Sequence, residues 1–168
     1  MGFPRSLNAL GTLQKVLKEF DDNGEPYELG PESSPLPAGY DALKQGNEVQ
    51  TKLSGQPFNY DFFPAEDYYL KAHLFGDIFA RDVLTHADRE LVTVSALSGL
   101  EGVMPQLQAH VRGALNMGVT EEQLDGIVHA LAFDNLAAEC QRCQAAIAAV
   151  KGQLQVVSPS AYPLGQPN

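Results

Sequence analysis

A chain of 168 residues with 44% hydrophobic and 19% charged side chains has the composition of one globular domain, long enough to bury a core, and not that of a disordered segment. Its formal net charge of -10 argues against nucleic acid and anionic membrane surfaces, since both select for clustered Lys and Arg. No apolar run reaches bilayer length, Met1-Gly2-Phe3-Pro4-Arg5 does not open a basic-then-apolar leader, and two cysteines do not suggest a disulfide-stapled scaffold. The expectation is a cytoplasmic protein whose partners are small molecules or copies of itself.

In chain order, residues 5–20 place Leu7, Leu10, Leu13, Val16, Leu17 and Phe20 at helical spacing, and Asp22-Asn23-Gly24 ends the pattern. Residues 24–39, rich in Pro, Gly and Ser, read as an irregular connector. A short helix is expected over 40–53, with Tyr40, Leu43, Val49 and Leu53 available for packing, and an ordered aromatic loop from Pro57 to Pro64. Residues 65–81 form a helix with Tyr68, Tyr69, Leu70, Leu74, Phe75, Ile78 and Phe79 nearly all round it, so it must be covered on several sides. Thr85, with Asp88 three residues on, is an N-cap for a helix to about Ser98. Gly99 to Pro105 interrupts. A helix over 105–117 carries Leu107, Val111, Ala114 and Leu115 on one face. Thr120 and Gln123 make a capping box for the next, whose stripe is Leu124, Ile127, Val128 and Leu131. An alanine-rich helix over 136–151 closes the set, and a poorly ordered Pro-rich tail follows Val157. Nothing reads as a sheet, so the class is all-α. A faint internal repeat places residues 2–17 on 135–150, with Leu7 on Cys140, Leu10 on Cys143 and Leu17 on Val150.

Two stretches then stand out: Leu84-Thr-His-Ala-Asp-Arg-Glu-Leu-Val-Thr93, and Gln108-Ala-His-Val-Arg-Gly-Ala-Leu-Asn-Met-Gly-Val-Thr-Glu-Glu-Gln-Leu124. An Arg-Glu-Leu opening one helix, a His in the next and Gly-Val-Thr-Glu-Glu opening a third resemble the carboxymuconolactone decarboxylase family, over about 65–150. Gly46, Gly55 and Phe75-Gly76-Asp77-Ile78 resemble it too. The resemblance implies an AhpD-like helical bundle assembled as a homo-oligomer, a trimer or hexamer. Gly2-Phe-Pro-Arg-Ser-Leu-Asn-Ala9 resembles the start of the family's closing helix. The expected organisation is therefore a helix over 1–20 resembling the end of a preceding repeat, a connector over 21–39, a carboxymuconolactone decarboxylase-like domain over 40–152 and a Pro-rich tail over 153–168. The helix over 65–81 is expected at a subunit contact.

Glu90 shares a helix face with Val94 and Leu97, and His110 lies between Leu107 and Val111 on the inward face of the following helix. An acid and an imidazole converging inside a bundle form a proton-transfer pair. The competing reading is a first-turn carboxylate beside Arg89 and a core histidine bonded to a carbonyl. The resemblance favours the first, because these are family motif positions. It implies loss of carbon dioxide from a carboxylated lactone, with Arg89 or Arg112 supplying positive charge and His110 or Glu90 the proton. Arg89 and Glu90 are adjacent, so on a helix they point about 100° apart and need not serve one pocket. His73 and Asp77, four residues apart, suit a structural imidazole–carboxylate bond; His86 and His129 receive no role. The four histidines show no metal-ligand spacing, so neither a metal nor another cofactor is expected.

Cys140-Gln-Arg-Cys143 is a CxxC, and the hydroperoxidase branch of the family uses one. There the thiols precede the motif histidine, and the matching positions here are Val103 and Gln106. The CxxC present is followed four residues later by Ile147 rather than His, and it falls inside a helix. Buried thiols are therefore preferred to a redox pair. Three functions remain open: a lyase-like enzyme, a thiol-dependent peroxidase, and a non-catalytic scaffold.

Overall fold

The computed structural model describes residues 3–157, with side-chain surroundings through residue 154. Seven helices appear among the described residues, and no strand. They are α1 (Phe3–Asn23), α2 (Ala42–Ser54), α3 (Pro64–Tyr69) running directly into a π-helical segment (Leu70–Ile78), α4 (His86–Ser98), α5 (Met104–Asn116), α6 (Glu121–Phe133) and α7 (Ala137–Val157). The last helix runs beyond the boundary expected at 152, so the expected tail begins inside it. Residues 158–168, the remainder of that tail, lie outside the described residues.

Caps explain where α4 and α6 begin. Thr85 Oγ1 accepts from the Asp88 N–H at 3.1 Å while Asp88 Oδ2 accepts from the Thr85 N–H at 3.0 Å, and Thr120 and Gln123 repeat the reciprocal arrangement. Gly55, at φ 77°, ends α2 in a left-handed conformation that costs glycine nothing.

The helix expected over 65–81 differs in kind. Beyond Tyr69 it widens, and its closing bond runs from the Phe79 N–H to Leu74 O, an i to i+5 spacing. The widened turn lies against α2 at two glycines. A Cβ on Gly46 would stand 1.8 Å from Lys71 O, and one on Gly76 would stand 2.3 Å from Ala42 O. Apolar spacing reports which residues turn inward, not the hydrogen-bond pitch, so the sequence could not show this. The Lys71 side chain is buried, and its Nζ donates to Asp67 Oδ2 at 2.7 Å and Asn59 Oδ1 at 2.6 Å. Asp67 also accepts from the Tyr60 N–H at 3.0 Å; the Lys71 bond first and this one second hold its carboxyl below the usual range. These bonds pin the aromatic loop of residues 57–63 onto α3.

Two cores result. Val94, Leu107, Val111, Leu124, Cys143, Ile147 and Val150 form the larger, between α4, α5, α6 and α7. Leu53, Phe75 and Phe79 form the smaller, between α2 and the π segment. Helix α5 touches both, since it packs on α2, α4 and α7. By contrast α1 buries no residue, and Phe3, Leu7, Leu10 and Leu13 of its apolar face stand exposed.

Candidate active site

The seam between the two cores holds the one buried carboxylate–imidazole pair among the described residues. Glu90, from α4, is fully buried; its Oε2 lies 2.8 Å from His110 Nδ1 on α5. His110 keeps 26% of its side chain exposed, and its Nε2 has no partner among the described residues. Gly113, one turn beyond His110, makes the approach possible. A Cβ there would lie 2.5 Å from Leu53 Cδ2 and 3.1 Å from Glu90 Oε2. A mid-helix glycine is costly in a helix unless packing requires the space, and here the space is taken first by Leu53 and then by the Glu90 carboxylate.

His110 lines a pocket of about 390 Å³, within the ordinary range for small-molecule sites. Leu53, Phe58, Leu70, Leu74 and Phe75 make its apolar walls, and Gln50, Gln106, His110 and Arg112 its polar points. Phe58 and Tyr60 pack edge to face with centroids 4.8 Å apart, which shapes the loop side of the wall. Among the described residues Arg112 is the only Lys or Arg on this wall. It donates to Gln153 Oε1 of α7 and pairs with no carboxylate among the described residues. A larger hollow of about 540 Å³ lies between the connector and the start of α4, but it contains no acid–base pair of this kind.

Residues 64–151 match the sequence profile of the Carboxymuconolactone decarboxylase family, slightly more than half of the chain. The chain belongs to that family. Among curated relatives, Peroxisomal protein 2 of Saccharomyces cerevisiae is 27% identical over 150 residues, which take in 75% of this chain and 53% of the yeast protein. The 4-carboxymuconolactone decarboxylase of Acinetobacter baylyi is 31% identical over 96 residues, 51% of this chain and 68% of that enzyme. The chain thus spans about half the length of the yeast relative. The all-α architecture expected from the pattern of apolar residues is the one observed.

Within this carboxymuconolactone decarboxylase family chain, the structure brings together Glu90, His110 and Arg112 but not Arg89. Arg89 turns away from the pocket: one guanidinium nitrogen donates to Arg81 O at 2.7 Å, and the group sits 5.6 Å over the Phe79 ring. Burial first, then the charge of Arg81, lower its pKa from the ordinary value. His73 and Asp77 do meet, at 3.2 Å, but on the surface, with more than half of each side chain exposed. His86 Nε2 faces Phe79 O at 3.3 Å. Among the described residues no group of His, Cys, Asp and Glu has the makings of a metal site, and no helix is long and apolar enough to cross a membrane.

Both cysteines are free thiols on α7, away from the pocket wall. Cys143 is fully buried, and Cys140 Sγ lies 3.7 Å from Val128 O. Burial raises the Cys143 thiol pKa above its ordinary value; a bond to Ser98 offsets part of this, while Cys140 and Asp125 push it higher. Arg142, the cation between them in sequence, is committed to Glu139 and to Ser98 O. A raised pKa leaves less thiolate at neutral pH, and the thiolate is the reactive form. Native protein is therefore expected to resist a bulky thiol reagent at pH 7 and to label at both positions after unfolding, as counted by mass spectrometry. Fast labelling of the native protein at neutral pH would contradict the buried-thiol assignment.

The sequence did not single out Gln50, Gly113 or the loop pair Phe58 and Tyr60. Gly113 alone carried a signal, being a glycine inside a strong helical pattern. Gln50 and the loop reach the pocket only through the packing of α2 and α3.

Proposed function

We propose that the protein is an enzyme of carboxymuconolactone decarboxylase type, acting on a small cyclic carboxylate by acid–base chemistry at His110. The observation that carries this reading is the 2.8 Å bond between the buried Glu90 and His110 Nδ1, with Nε2 on the wall of an apolar pocket and without a partner among the described residues. Glu90 fixes the ring and favours a proton on Nδ1. A protonated His110 then offers its Nε2–H to the pocket. Loss of carbon dioxide from a carboxylated lactone breaks the carbon–carboxyl bond and leaves the electron pair as a dienolate. Arg112 stabilises that negative charge, and the Nε2 proton passes to carbon, leaving neutral imidazole to be reprotonated from solvent. Arg89 belongs to the surroundings of the pocket rather than to its wall.

Purified protein mixed with 4-carboxymuconolactone tests this: release of carbon dioxide is expected. Reduction of an organic hydroperoxide at the expense of a dithiol, without decarboxylation, would establish the peroxidase alternative through Cys140 and Cys143. Neither activity would leave the scaffold reading.

A homo-oligomer, as a trimer or hexamer, is part of the same proposal. Its support is exposed apolar surface: Phe62 and Phe63 just before α3, Tyr68 and Tyr69 at its end, and Leu7, Leu10 and Leu13 on α1. The stripe of α1 occupies the positions that α7 buries, as Leu10 aligns with Cys143 and Leu17 with Val150. This also supports reading residues 1–20 as the end of a preceding repeat. Sedimentation equilibrium at micromolar concentration is expected to give a multiple of the 18.2 kDa chain mass; a monodisperse monomer would remove this part of the proposal.

A further inference from the structure

The aromatic wall of the pocket is carried by a loop with little apolar burial of its own. Phe58 and Tyr60 line the pocket from the loop of residues 57–63, yet Phe58 is 43% exposed, and Phe62 and Phe63 on the same loop are 80% and 59% exposed. A segment with so few buried apolar contacts opens at low free-energy cost unless polar bonds hold it. Among the described residues the loop makes two hydrogen bonds to helix side chains, and both end on one buried ion pair. Lys71 Nζ donates to Asn59 Oδ1 at 2.6 Å, and the Tyr60 N–H donates to Asp67 Oδ1 at 3.0 Å. Lys71 and Asp67 are themselves joined at 2.7 Å, with side chains 5% and 21% exposed. The pair thus holds the residue between the two pocket-lining rings and the backbone of the second ring. From the other side Lys71 is fixed by the helix crossing, since its carbonyl lies where a Cβ on Gly46 would stand. A buried ion pair often adds no net stability over well-packed apolar residues, and what this one supplies instead is a defined loop position.

We propose that Lys71 and Asp67 are positioning residues for ligand binding, which hold Phe58 and Tyr60 in place as the wall that closes on a small cyclic carboxylate. The inference rests on the reading of this pocket as the substrate site. Neither Lys71 nor Asp67 lines the pocket, so each acts through the loop and not on the reacting atoms. Without the pair the loop is open for part of the time. The apparent dissociation constant then rises by the inverse of the closed fraction, while the step at His110 in a filled pocket is unchanged. The coupling is reciprocal: a ring bound against Phe58 and Tyr60 holds the loop shut.

Two variants of the whole protein release the loop: Lys71→Met, and Asn59→Ala at an exposed loop position. Asn59→Asp keeps an acceptor for Lys71 and serves as the rescue. With 4-carboxymuconolactone, KM is expected to rise about 10-fold in both releasing variants while kcat stays within about 2-fold, and Asn59→Asp to match the wild type. Calorimetry with benzoate, a ring carboxylate used as an inert probe, is expected to show the same loss of affinity without requiring turnover. Hydrogen exchange read by NMR follows the loop directly. The Tyr60 amide is expected to exchange about 10-fold faster in both releasing variants, and more slowly when benzoate is added to the wild type. The Val111 amide of the larger core is the control; if it quickens equally in Lys71→Met, that variant has lost global stability and Asn59→Ala decides. Faster loop exchange with wild-type KM and benzoate affinity overturns the proposal. So does unchanged exchange at Tyr60, a loss confined to kcat, or an Asn59→Asp variant as weak as Asn59→Ala. A wild type that binds neither benzoate nor the lactone sinks the reading of the pocket and this inference with it. Benzoate affinity that falls as the loop loosens, in a protein that decarboxylates nothing, sinks the reaction assignment alone.

Discussion

His110→Asn is expected to lower kcat/KM for decarboxylation by about 10²- to 10⁴-fold, the range for removing a positioned general acid, with helical circular dichroism unchanged. His110 is partly exposed and makes one described side-chain bond, so the loss is chemical rather than architectural. Glu90→Gln keeps the volume and an oxygen that accepts from Nδ1, but removes the negative charge. Its loss is expected to be smaller, because the amide still holds the ring in place. The two residues act as one unit, so the double variant should fall little below His110→Asn alone. Losses that multiply, or a folded His110→Asn variant within about 3-fold of the wild type, a difference well under one 10-fold step of barrier, would remove the pair from the mechanism.

The parts of this site that were legible from sequence are those fixed by local rules. Thr85 and Thr120 announce helix starts because a capping hydroxyl and its partner lie three residues apart on the chain. Those caps set the phase of α4 and, through its apolar face, aim Glu90 inward; Leu107 and Val111 likewise bracket His110. The two side chains meet because two amphipathic faces must share one core, a long-range event that local patterning still anticipates. Arg89 shows the limit. Its neighbour in sequence enters the site, yet the turn of the helix sends Arg89 to Phe79 and Arg81 O, and Arg112 becomes the cation on the wall. The π segment was illegible for a different reason. Its widened pitch answers to the contact with α2, and both glycines in that contact carry no side chain whose pattern could be read.

That contact yields the largest expected effect on stability. Gly46→Ala is expected to destabilise the protein by about 3 kcal/mol or more, at or above the upper end for overpacking a core, and to lower Tm by roughly 10 °C for a domain of this size. The added Cβ would lie 1.8 Å from Lys71 O and 2.8 Å from the Gly76 nitrogen. Both are backbone atoms, so no rotamer change relieves the clash; α2 and the π segment must move apart. Separation exposes Leu53, Phe75 and Phe79, the whole of the smaller core, and draws Gln50 and Leu53 away from the pocket. Ligand binding should therefore fall together with stability, although Gly46 does not line the pocket itself. Gly126→Ala is the control. It lies inside α6 with nothing within 4 Å of its added Cβ, so the gain in helix propensity should stabilise by about 0.5–1 kcal/mol. Urea unfolding of the two variants beside the wild type decides the matter. A Gly46→Ala midpoint equal to the wild type, with Gly126→Ala shifted upward as expected, would show that the close crossing of α2 over the π segment does not hold the smaller core together.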